Sequence, residues 1–230
     1  MNKRQILLIL FLLPILLSAQ NRHFKIGIKN NGICIGNSSK FNGIRTNFID
    51  KNVKDINGIS ICGQTESQKT NGISLGLFLS LDSIMNGLQI GGLGAGAIKF
   101  NGLSISPGMT VHDTINGIAI SGILTYFKTT NGLQLGLVGT TPFDFMKSEN
   151  LNGVAIGGIT IYCTEKANGM ILSSILCYSE KLNGVSISCF NVTDELHGFQ
   201  FGLLNYARNN RKLFRLTPFM NFNLRKMNSR

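Results

Sequence analysis

Apolar and small or polar residues alternate in short bursts along this chain, and each burst opens on the same dipeptide. Asn-Gly starts at Asn31, Asn42, Asn57, Asn71, Asn86, Asn101, Asn116, Asn131, Asn152, Asn168 and Asn183, and His197-Gly198 takes that place once more. The steps between them are 11, 15, 14, 15, 15, 15, 15, 21, 16, 15 and 14 residues. A period held this closely over twelve units marks a repeat architecture, which outranks any local motif.

Counted from each Asn, the third residue is apolar in all twelve units, from Ile33 through Leu88 and Met170 to Phe199, and the fifth in eleven, Thr46 being the exception. The fourth is mostly Ser, Gln or Ala, as at Ser74, Gln89 and Ala119, and the sixth is small or polar. This alternation predicts a short β-strand with its apolar positions on the buried face. After the sixth position the phase shifts: Ile159, Ile175 and Phe190 are eighth in their units, Ile161 and Val192 tenth. Such a break predicts a corner, which a small sixth residue permits. Charges gather late in the unit, at Asp82, Asp113, Lys128, Glu165, Lys166, Glu180, Lys181, Asp194 and Glu195, so one edge is wet.

Two all-β architectures fit. In a repeat β-solenoid each of about twelve 15-residue units is one coil, stacked about 4.8 Å from the last. In an antiparallel β-meander each unit is a strand and a hairpin, and twelve would close as an outer-membrane β-barrel. The solenoid is favoured because long and short connections do not alternate, because Trp is absent and Tyr is found only at Tyr126, Tyr162, Tyr178 and Tyr206, and because the alternation breaks within each unit. A solenoid brings the Asn side chains of successive units into a hydrogen-bonded ladder and asks each following Gly for a backbone conformation that a side chain opposes. The repeat-defining residues are therefore Asn57, Gly58, Asn71, Gly72, Asn86, Gly87, Asn101, Gly102, Asn116, Gly117, Asn131, Gly132, Asn152, Gly153, Asn168, Gly169, Asn183 and Gly184.

The N-terminus adds a location. Residues 1–20 carry Lys3 and Arg4, an apolar run from Ile6 to Leu17 and small residues at Ser18 and Ala19, the pattern of a cleaved secretory signal. That run is too short for a spanning helix. The repeat domain is read over 21–207. The formal charge of +11 is concentrated at the ends: besides Lys3 and Arg4, seven basic residues from Arg208 to Arg230 follow the last acidic residue, Glu195. Residues 208–230 form a basic C-terminal cap or tail, suited to a solvated end or to anionic envelope material. Cys34, Cys62, Cys163, Cys177 and Cys189 have neither paired spacing nor a nearby histidine set, and are expected as buried thiols, with one pair among the last three open in an oxidising compartment.

GFQFGLLNYA at Gly198–Ala207, followed by PFMNF at Pro218–Phe222, resembles a family of bacterial surface repeat-containing proteins whose unit reads Gly, apolar, Gln, apolar, Gly, Leu, apolar, Asn. NGLQLGLVG at Asn131 and NGLQIGGLG at Asn86 match in part, while other units replace the Gln by Ser or Ala. The resemblance implies an exported or surface-associated repeat protein and brings no catalytic residues with it.

Chemistry is sparse. His23, His112 and His197 fall at unlike places in the repeat, and the only neighbouring carboxylates, Asp194 and Glu195 among them, sit in charged turns. GGLGAGAIKFNG, from Gly91 to Gly102, lacks the following helix a phosphate loop needs. The one insertion, from Thr140 to Leu151, offers Phe143, Asp144 and Phe145 as a candidate recognition loop. The reading is an exported, non-catalytic surface repeat protein serving adhesion, scaffolding or envelope interaction. Its expected partners are an envelope glycan, lipid or protein surface, with no nucleic acid, small-molecule substrate, cofactor or metal. The alternative is an outer-membrane barrel acting as pore or anchor.

Overall fold

A computed structural model describes residues 23–140 and 150–224. The signal-like segment, the loop residues Phe143, Asp144 and Phe145, and the last six residues of the basic tail lie outside them. The chain forms two compact units, residues 1–107 and 108–230. The first holds β1 (His23–Ile26), β2 (Asn31–Gly36), β3 (Lys40–Ile49), β4 (Val53–Gly91) and β5 (Gly94–Ser106). The second holds β6 (Met109–Ser121), β7 (Leu124–Gly136), β8 (Gly139–Thr140), β9 (Asn150–Gly157), β10 (Thr160–Ser173), β11 (Leu176–Ile187), β12 (Phe190–Ala207), a 3-10 turn at Lys212–Phe214 and β13 (Leu216–Asn223).

The fold is an all-β solenoid of about 11 turns among the described residues. Within each unit, successive coils pair in parallel with the repeat in register. In the first, Asn31 stands opposite Asn42 and Asn42 opposite Asn57; in the second, Asn116, Asn131, Asn152, Asn168, Asn183 and His197 follow one another. This parallel register overturns the meander and barrel alternatives, whose sequential neighbours run antiparallel. The step from Asn131 to Asn152 keeps the register although 21 residues separate them, so the insertion leaves from between β8 and β9 without disturbing the stack. Antiparallel strands cover the terminal coils: β1 pairs with β2 in the first unit, and β13 pairs with β12 in the second. A covered edge is a blunted template for further strand addition.

The strands alternate as expected, but with the opposite hand. The fourth residue of every unit points in: Cys34, Arg45, Ser60, Ser74, Gln89, Ser104, Ala119, Gln134, Ala155, Ile171, Ser186 and Gln200 are all buried. The apolar third and fifth residues point out, none of them buried, with Ile118 at 38% and Leu172 at 37% exposure. The expectation that these apolar positions face the core is therefore corrected. From the second Asn onward, the interior is completed by the residue just before each repeat start, as in Phe41, Ile56, Met85, Phe100, Ile115, Leu151, Leu182 and Leu196. From the second half of each coil come residues such as Thr110 and His112, Thr125 and Phe127, Ile161 and Cys163.

This inversion has a physical basis in the width of the coil. Its interior holds a limited number of large side chains, such as Phe41, Phe100 and Phe127, and small residues such as Ser60, Ser74, Ser104 and Ala119 line much of the rest. Their polar groups bond to one another along the stack: Thr65 Oγ1 donates to Ser80 Oγ at 2.9 Å, and Gln89 Nε2 donates to the carbonyls of Ser80 at 3.0 Å and Gly96 at 2.9 Å. Buried hydroxyls and amides paired in this way escape most of the desolvation penalty.

Candidate functional site

Three surfaces emerge from the residues upward. The first is the Asn ladder. In the first unit, Nδ2 of Asn42, Asn57, Asn71, Asn86 and Asn101 donates to Oδ1 of the preceding Asn at 2.7–2.8 Å. In the second, Asn131, Asn152, Asn168 and Asn183 do the same at 2.7–2.9 Å. Both expected roles of the dipeptide are therefore met. Each Gly that follows an Asn has a positive φ, as at Gly102 (138°) and Gly169 (132°), and lies directly against its counterpart in the neighbouring coil.

The second surface is the outer apolar face. In the second unit it is built from the third and fifth residues of each coil, Ile118 and Ile120 through Met170 and Leu172 to Phe199 and Phe201. The corner beside it adds Ile123, Leu137, Ile159, Ile175, Phe190 and Leu203, all exposed. No charged residue occupies either set of positions. Like side chains stack on like along the coils, so each is shielded by its neighbours and roughly half exposed. Contiguous exposed apolar patches are uncommon on monomeric soluble proteins.

The third is the cap of the second unit. Here β13 runs back along β12, bringing Phe222 against Phe199 with ring centroids 6.3 Å apart. A groove of about 690 Å³ opens beside it, lined by Arg211, Phe214, Pro218, Met220, Phe222 and Leu224 together with Asn209, Asn210, Thr217, Asn221 and Asn223. Sequence reasoning placed a basic segment here but not the groove. The alternation of Arg or Lys with Leu and Phe over 211–216 was the available signal.

The titratable groups inside the coils are structural in setting. Burial pushes the Cys62 thiol up to about 12 and the Cys163 thiol up to about 11, and none of the five cysteines is in a disulfide. Burial lowers His112 to about 3, so its imidazole is neutral at ordinary pH. His197 takes the Asn position in the coil after Asn183. Asp82 accepts from Thr70 Oγ1 at 2.9 Å, from Ser67 and from Gln89 Nε2 at 3.2 Å, yet burial still raises its carboxyl to about 6. Among the described residues no group of three or more His, Cys, Asp or Glu side chains is placed to hold a metal ion. Comparison with family models, curated proteins and solved structures finds no match for the chain.

Proposed function

We propose that this chain is an exported, non-catalytic repeat protein that holds to a component of the cell envelope by multivalent contact. The observation that carries the reading is the inverted solenoid: small and polar residues line the inside, and an uncharged apolar face is left outside, repeated coil after coil. Such a face gives many weak, equivalent contacts and no turnover. Its likeness to surface repeat proteins over Gly198–Phe222 and the signal-like N-terminus support an envelope location. Adhesion and scaffolding both follow from a rigid face of this kind.

The test is retention. Replacing Met170 and Ile187 by Glu puts two charges on the face at exposed positions, leaving the core untouched. The double variant is expected to fold normally but to be released from the envelope fraction of its cell. Unchanged retention, or a parent protein found outside the envelope fraction, would overturn the reading.

A further inference from the structure

The cap of the second unit has a character that the coils beside it lack. After Ala207 the chain makes its 3-10 turn and returns as β13. This sets Arg208, Arg211, Lys212 and Arg215 among Leu213, Phe214 and Leu216, all of them exposed. Leu213 is 89% exposed and Phe219 75%. Phe219 also has a φ of 64°, a conformation that costs a bulky residue energy. Burial of its ring does not offset that cost. Phe219 lines a cleft of about 370 Å³ with Ile187, Phe201 and Leu203, so the cap is continuous with the outer apolar face. Arg211 lines the apolar groove together with Phe214, Met220 and Phe222.

We propose that the cap and the adjoining apolar face lie on an anionic lipid surface. Leu213, Phe214 and Phe219 enter the boundary between headgroups and acyl chains, and Arg211, Lys212 and Arg215 meet the phosphates, while Arg208 is paired with Asp194 at 3.9 Å. Apolar and basic groups interleaved at one surface are what interfacial binding requires, and long basic side chains reach headgroups while their stems stay apolar. Charge decides against a second copy of this chain. No acidic residue follows Glu195 and Asp194 is already paired with Arg208, so two caps meeting about a two-fold axis would set Arg211, Lys212 and Arg215 against their own copies. This inference rests on the envelope reading and names its component.

The test is co-sedimentation of the full chain with vesicles of phosphatidylcholine alone or mixed with phosphatidylglycerol. Binding to the anionic vesicles is expected to be tenfold tighter or more, and to weaken as salt is raised. The apolar run from Ile6 to Leu17 is common to every variant, so differences between variants report the cap. Leu213→Glu with Phe219→Glu should lower binding at least tenfold, as should Arg211→Glu with Lys212→Glu and Arg215→Glu. These positions are exposed, so the circular dichroism spectrum should not change. Hydrogen exchange should slow over 208–224 when anionic vesicles are added. Equal binding to both vesicle types, binding indifferent to the variants, or a stable dimer that ignores vesicles would overturn the proposal. Retention in the envelope fraction without vesicle binding would do so while leaving the envelope reading intact.

Discussion

A β-carbon placed on Gly184 would lie 1.9 Å from the carbonyl oxygen of Gly169 in the preceding coil. Gly184 also has a φ of 143°, so a side chain there meets both a backbone clash and an unfavourable conformation. The glycine column is what lets parallel coils approach at the corner that carries the ladder. Gly184→Ala is expected to cost about 3 kcal/mol or more. The check is the urea midpoint at unchanged slope; a loss below about 1 kcal/mol would mean that the coils separate there freely.

Asn168 donates to Asn152 and accepts from Asn183, each at 2.7 Å. Asn168→Ala removes both bonds, whereas Asn168→Asp keeps the acceptor that Asn183 uses but turns a carboxylate oxygen toward the Oδ1 of Asn152, which can also only accept. With about 1 kcal/mol per bond at most, and less where water can substitute, the Ala variant should lose about 1–2 kcal/mol and the Asp variant at least as much. Thermal unfolding of the two beside the parent measures both losses. An Ala variant as stable as the parent would place the stabilisation in the strand pairing and not in the side-chain amides.

The same ladder shows how much the sequence made legible. A period near fifteen and a phase break after the sixth residue led to stacked coils, because register in a solenoid is written once per coil. Which face is inside was not legible from the alternation of Ile118, Ala119 and Ile120, since a period of two divides residues into two faces without saying which is buried. One signal was present. Phe100, just before Asn101, shares its parity with Ser104 and not with Leu103, so a straight strand that buries Phe100 must bury the serine. The groove of the cap depends on how β13 folds back on β12, which no local pattern encodes.

Arg45 and Asp50 form a salt bridge with both side chains fully buried. Arg45 takes an interior position held elsewhere by small or neutral residues and also donates to the Ser38 carbonyl at 3.2 Å. Asp50 accepts from Asn47 Nδ2 at 3.0 Å and from the backbone N–H of Glu66 at 3.3 Å. Arg45→Met leaves a buried carboxylate without its cation and should cost about 3–5 kcal/mol. Adding Asp50→Asn should recover most of that loss. Denaturant unfolding of the single and double variants measures the coupling, and simple additivity of the two losses would show the pair to be energetically idle.

Asp82 and His112 pull stability in opposite directions as the pH changes. Burial raises the Asp82 carboxyl from 3.8 to about 6. Between those values the native state binds more protons than the unfolded chain, so this contribution is full below the lower value and is lost as pH rises through the upper one. Burial lowers His112 from 6.5 to about 3. There the unfolded chain binds the extra proton, so its contribution is full above pH 6.5 and is lost as pH falls toward 3. Each effect amounts to about 2–3 kcal/mol between pH ~4.5 and neutrality, and in the parent they largely cancel. Relative to the parent, Asp82→Asn should therefore lose stability on acidification and His112→Gln should gain it. Urea midpoints taken across that range give the two slopes. Slopes of the same sign would mean that at least one of these groups is hydrated in the native coil.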